Sequence, residues 1–193
     1  MTDQSVSRKN QIMEVAKELF AEKDYHEVTL DDIAKAVGVA KGTLYLYFKS
    51  KADLFVQTFT KTLDNVISDL REIFNSGEDL TTTLSLIFDY YEDSIRRDKY
   101  FNRFGSVHRV LYGELSSDVS HKVKKAIFSR IEALENEAVD FLDAHLPGTK
   151  LDLGDLYQIL VAISFEISQS QSDTIKDTAI SLILDGIKKE ETL

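Results

Sequence analysis

The chain has 193 residues, no cysteine, and 33 acidic against 23 basic side chains, for a net charge of −10. That length can bury a real core in one large domain or two small ones, while the absence of cysteine excludes a disulfide framework and a thiolate metal site. The acidic balance excludes a protein that holds polyanions over its whole surface, although a local basic patch stays compatible with it.

The amino-terminal MTDQSVSRKNQ is polar and lacks the apolar core of a signal peptide. Ser7 is a candidate cap for a first helix, whose buried face reads Ile12, Ala16, Leu19 and Phe20 at i, i+4, i+7, i+8 spacing. Thr29 then opens a capping box with Asp32, a hydroxyl for orphan amides and an acid three residues on. Ile33, Ala34 and Val37 share one helical face, and Gly38 stops that helix where a left-handed backbone is needed. Val39 plugs the turn, residues 41–47 start a second short helix, and Phe48 anchors it. Ser50 and Asp53 form another capping box, so a further helix opens at Lys51. Two helices joined by a three- or four-residue turn are how proteins put one helix into the DNA major groove.

The chemistry of this window fits that geometry. Residues 39–51 contain Lys41, Lys49 and Lys51 and no acid. Lys41 and Thr43 lie at the end of the short helix that faces bases and phosphates in such motifs. Tyr45 and Tyr47 bring hydroxyls that can reach phosphate, and Lys51 sits where helix amides already favour an anion.

The string TLDDIAKAVGVAKGTLYLYFKSKADLF resembles the DNA-binding domain of TetR/AcrR-type transcriptional regulators, over about residues 12–55. The resemblance implies phosphate contacts by Thr29, Tyr47 and Lys51, and base or groove contacts by Lys41, Gly42, Thr43 and Tyr45. Gly42 would let the backbone approach DNA closely. Two positions depart from the family pattern. Ala40 stands where a serine or threonine often caps the reading helix, a loss of about 1 kcal/mol. Asp24 stands where glycine often ends the first helix.

Partitioning the charge reconciles an acidic chain with a DNA reader. Residues 1–51 hold eight basic and eight acidic side chains, so all the excess acid lies beyond them. Beyond about 8 Å such exposed charges are largely screened at physiological salt.

The body continues as helices. The helix from Lys51 carries Leu54, Phe55, Phe59, Leu63, Val66, Leu70 and Phe74 before Asn75, Ser76 and Gly77 break it. Helices are predicted over 80–97, 100–112, 117–145, 155–170 and 173–188, with Pro147 and Gly148 closing the third. The whole reads as an all-α chain of about nine helices: a three-helix helix-turn-helix domain at 1–50, then an effector-binding and dimerisation domain at 51–193. No Pro/Gly/Ser-rich linker separates the two. The longest apolar stretch, 156–167, is interrupted by Glu166 and falls short of the ~20 residues that span a bilayer. A soluble cytoplasmic protein with no membrane partner is expected.

The last two helices are apolar beyond one face. Ile159, Ile163 and Ile167 line one, and Ile180, Ile183 and Ile187 line the other. Such helices need a second partner: either they are buried centrally in their own monomer, or they pair with a second copy. The family resemblance implies the homodimer.

Phe101, Phe104, His108 and Leu111 fall on one helical face with Tyr112 beside them, Phe88 and Tyr91 on the helix before, and Phe128 on the helix after. These aromatics are either ordinary core or the lining of an apolar pocket with His108 and tyrosine hydroxyls as polar handles. Arg103 and Arg109 could meet an anionic head group. The resemblance implies an effector bound here.

Catalysis finds no support. His26, His108, His121 and His145 are scattered, and no His-Glu-x-x-His, phosphate-binding Gly-rich loop or Gly-x-Ser-x-Gly elbow occurs. No enzyme, metal site or cofactor is predicted. The residues and the family resemblance together imply a ligand-responsive regulator, a repressor that binds a palindromic double-stranded DNA operator and is released by a small apolar or aromatic effector. An architectural DNA-binding protein without an effector and a helical ligand-binding protein with a vestigial reader are the alternatives.

Overall fold

The computed structural model describes residues 3–104, 117–170 and 172–190. Every regular element among them is a helix: α1 (Asp3–Glu22), α2 (Leu30–Val37), α3 (Lys41–Tyr45), α4 (Lys51–Phe74), α5 (Leu80–Arg97), α6 (Lys99–Phe104), α7 (Ser117–His145), α8 (Leu153–Ser168) and α9 (Asp173–Glu190). Several ends differ from the sequence reading. Ser7 lies inside α1 rather than at its cap. The helix expected from 155 starts at Leu153 because Asp152 accepts the Asp155 amide at 3.0 Å and caps it two residues earlier. The short helix expected to reach 47 ends at Tyr45, yet the Tyr47 and Phe48 amides still donate to the Leu44 carbonyl, at 3.0 and 2.9 Å.

The residues gather into two compact units that do not follow chain order. The first is Met1–Asp64 with Asp98–Phe128, the second Asn65–Arg97 with Ser129–Leu193.

The first unit is built on aromatic packing. Ile12, Ala16 and Phe20 of α1 are completely buried, as are Ile33 of α2, Leu44 of α3 and Leu54 and Phe55 of α4. Phe55 is the hub. Phe20, Tyr25 and Phe104 meet it edge-on at 5.1, 5.2 and 5.4 Å between centroids, the arrangement the ring quadrupoles favour. Charge joins α6 to α1 and the residues after it: Lys17 to Asp98, Glu22 to Lys99 at 3.7 Å, and Asp24 to Arg103. Asp98 also accepts the Tyr100 and Phe101 amides at 2.9 and 3.2 Å, capping α6. Asp24, the departure at the end of α1, thus has its own work: its carboxylate holds Arg103 and its carbonyl accepts the Glu27 and Val28 amides.

In the second unit α5 packs against α8 and α9. Leu84, Phe88, Ala138, Leu142, Leu146, Tyr157, Leu160, Ile180 and Ile187 form the core. Ser168 donates to the Phe88 carbonyl at 3.2 Å, and Phe165 meets Tyr91 edge-on at 6.1 Å. Arg71 to Glu137 at 2.7 Å and Lys176 to Asp89 at 2.6 Å tie the helices at its rim. Among the described residues no helix is long and apolar enough to cross a membrane.

Candidate functional site

The helix-turn-helix of the first unit is built as its sequence directs. Thr29, extended at φ −110°, accepts the Asp32 amide at 3.1 Å, while the Thr29 amide and hydroxyl donate to the Asp32 carboxylate at 3.1 and 2.6 Å. Those two donations from Thr29 hold the Asp32 carboxyl below the usual carboxylate range. α2 buries Ile33, Ala34 and Val37 and ends at Gly38, whose φ of 77° is the left-handed region. The Val39 amide then donates to the Ala34 carbonyl at 2.9 Å, which closes the turn. α3 starts after Ala40 with no side-chain cap.

Leu44 and Phe48 anchor α3, at 0% and 1% exposure. Their i, i+4 spacing turns the residues between them outward, so Tyr45 is 53% and Leu46 80% exposed. Tyr47 is half-buried beside the Phe48 ring. Gly42 is exposed, and a Cβ there would meet nothing within 4 Å. The described fold therefore leaves room for a side chain at 42. Leu46 was missed in the sequence reading. Its signal was present: an apolar residue midway between two inward anchors on a helix must face out.

The three lysines of this window differ in what they do. Lys41 pairs with the Asp31 carboxylate at 2.6 Å, and this bond raises its pKa. Lys49 is exposed and its ammonium makes no hydrogen bond or ion pair among the described residues. Lys51 is engaged within the protein: it donates to the backbone carbonyls of Tyr25 at 2.7 Å, Val28 at 2.8 Å and His26 at 3.5 Å. It also lies 4.3 Å from the centre of the Tyr25 ring, and burial lowers its pKa. The Ser50–Asp53 cap forms, with one change of partner. The Asp53 amide donates to Ser50 at 3.0 Å, but the Asp53 carboxylate accepts the Lys49 amide, at 2.7 Å.

Among the aromatic candidates, Phe88 and Tyr91 are buried in the second unit, and burial pushes the Tyr91 hydroxyl up to about 12. Phe101 and Phe104 are buried in the first unit. Phe128 is corrected: it is 71% exposed. The buried stripe of α7 runs through Val119, Val123, Ile127, Leu134 and Ala138, and residue 128 lies about 100° off that stripe. His108, Leu111, Tyr112 and Arg109 lie outside the described residues. Arg103 is engaged with Asp24.

Five of the six isoleucines assigned to a dimer face are buried or half-buried within their own subunit. Ile180 and Ile187 are 7% and 6% exposed within their own unit, and Ile167 and Ile183 pack against the same core. Ile163 is half-buried. Only Ile159 of the six stands out, at 56% exposure. Its exposed apolar companions are Val161, Ile175 and Leu182, at 39%, 47% and 67%. On α9 the subunit's own core uses Ile180, Ile183 and Ile187, while on α8 it uses Ile167 and leaves Ile159 exposed.

Residues 12–58 match the model of the bacterial regulatory proteins of the tetR family. The chain is 31% identical over 91 residues to the HTH-type transcriptional activator FasR of Mycolicibacterium smegmatis, covering 47% of this chain. It is 38% identical over 82 residues to the fatty acid metabolism regulator protein of Bacillus subtilis, covering 40% of this chain. These alignments span 42% of the length of each relative. The crystal structure of FadR from Bacillus subtilis in complex with stearoyl-CoA shares the fold, with a TM-score of 0.70 at 21% identity over 91% of this chain and 97% of that one. The likeness to the tetR family of bacterial regulatory proteins thus lies in the amino-terminal helix-turn-helix region, residues 12–58.

Proposed function

We propose that this chain is a homodimeric, ligand-responsive transcriptional regulator, a repressor that leaves a palindromic operator when a small apolar effector binds. Residues 1–50 serve as the reader and residues 51–193 as the effector-binding and dimerisation domain. The observation that carries the reading is the outward set on and beside α3: Gly42, Tyr45 and Leu46 exposed, held by Leu44 and Phe48 within a capped helix-turn-helix. Tyr45 and Leu46 stand open to a DNA groove.

A long acyl thioester is the first effector class to try. One relative is a fatty acid metabolism regulator, and the FadR of shared fold was solved with stearoyl-CoA. The uninterrupted α4, from Lys51 to Phe74, is the proposed connection between effector and reader. An effector shifts the equilibrium only by its preference between DNA-competent and incompetent states, and a tenfold loss of operator affinity requires about 1.4 kcal/mol of coupling. A second reading, an architectural DNA-binding protein, draws on the burial of Phe88, Tyr91, Phe101 and Phe104, all at 7% exposure or less.

The test is fluorescence anisotropy on inverted repeats from the DNA flanking the gene, titrated with stearoyl-CoA and with an apolar metabolite library prescreened by thermal shift. Sequence-specific binding that an acyl thioester reverses supports the regulator. Specific binding that no ligand alters leaves the architectural protein, and loss of all sequence preference removes the reader. Transcription from the bound promoter, measured with and without effector, fixes the sign, since one relative is named an activator.

A further inference from the structure

The stretch between α1 and α2 turns three backbone carbonyls toward the start of α4. Its Glu27 and Val28 amides are satisfied by the Asp24 carbonyl at 2.9 and 3.2 Å. The carbonyls of Tyr25, His26 and Val28 receive their hydrogen bonds from one group, the Lys51 ammonium, across 23 to 26 positions of sequence. An ammonium has three N–H donors, and here all three have a carbonyl in range. The positive charge also faces the Tyr25 ring at 4.3 Å. That ring is itself packed edge-on against Phe55, and the loop is therefore gripped from the core and from the start of α4. Val28 is the residue before Thr29. Fixing the Val28 carbonyl fixes the peptide that enters the Thr29 cap, and with it the α2 end facing the reader.

We infer that Lys51 is a positioning residue, which clamps the loop before Thr29 to the start of α4, and that Lys49 supplies the phosphate-neutralising cation at this step. The inference rests on the DNA-binding reading for its second half only. Lys49 stands two positions earlier, exposed, with its backbone held by the Asp53 carboxylate and its ammonium uncommitted among the described residues. Lys51 contributes through the geometry of Thr29, not by neutralising DNA.

The experiment compares Lys51→Met and Lys49→Met by two readouts. In DNA-free protein, amide exchange at Val28, Asp32 and Ile33 is expected to be about tenfold faster in Lys51→Met and unchanged in Lys49→Met, because only the first releases the loop. On operator DNA, Lys49→Met should flatten the dependence of log affinity on log salt by about one ion per half-site. Lys51→Met should weaken binding at every salt concentration with the wild-type slope kept. Wild-type exchange in Lys51→Met, or a slope flattened by Lys51→Met and not by Lys49→Met, overturns the inference. If Lys51→Met does not fold, Lys51→Gln takes its place with the salt slope as the deciding readout: it keeps two N–H donors without the charge, so a wild-type slope supports the clamp and a slope flattened by about one ion per half-site overturns it. A wild-type protein that binds no DNA defeats the functional reading separately, and the exchange data still decide the clamp.

Discussion

At the scale of single residues, the reader depends on backbone geometry that one substitution can probe. Gly38 holds φ at 77°, and a Cβ added there would meet no atom within 4 Å. The cost of Gly38→Ala is therefore backbone strain with no steric clash, about 1 kcal/mol for a left-handed L-residue. Gly38→Asn should lose less, because asparagine visits that region more readily. Urea denaturation checks this. The midpoint should fall for alanine, less for asparagine, with the slope unchanged. An alanine variant as stable as wild type would mean that the chain can end α2 in another conformation. Gly38, Thr29 and Asp32 were legible in the sequence because a cap and a stop act within four residues. Lys51 was not, because its partners lie more than twenty positions away and are carbonyls, which every residue carries.

At the scale of helices, periodicity located the elements but did not decide which apolar face each one spends. On α9, Ile180 and Ile187 went to the core while Leu182 stayed 67% exposed. Both faces carry apolar residues in sequence, and packing against α5 and α8 selects between them. Exposed and buried positions then separate two effects that the sequence reading merged. Leu182→Asp and Ile159→Asp should leave a folded chain and yield monomer, since both side chains are exposed within the subunit. Ile180→Asp should lower the melting temperature sharply or give insoluble protein, because it buries a charge without a partner. Light scattering and thermal melting of all three variants test the assignment. A Leu182→Asp protein that remains dimeric would move the interface off this face. The same argument of phase explains Phe128. Its neighbour Ile127, not Phe128, continues the buried spacing of Val119 and Val123, and an aromatic residue drew more weight in the sequence than its angle allowed.

At the scale of the whole molecule, two properties meet: an acidic chain and a reader with few uncommitted cations. The compact units themselves were not legible, because α6 and the start of α7 group with the reader's helices through contacts far apart in sequence. The charge partition was legible, since it needs only counting. It leaves residues 1–51 neutral and the remainder at −10. Structure narrows it further. Within the 39–51 window Lys41 is shared with Asp31 and Lys51 with the loop carbonyls, so Lys49 is the cation with no such commitment. One to two phosphates neutralised per half-site give a log-affinity against log-salt slope of about −2 to −4 for a dimer on its operator. Nonspecific binding should be weak, because most of it is electrostatic and the body repels the polyanion. Titrating operator and scrambled duplexes from low to physiological salt checks both statements. A slope of about −6 or steeper would place further cations on the phosphates. Lys9, Lys23 and Lys35, the other lysines of the reader outside its ion pairs among the described residues, would then be the substitutions to make. A shallow slope with a large gap between operator and scrambled DNA would instead show that the outward Tyr45 and Leu46, rather than charge, hold the protein to its site.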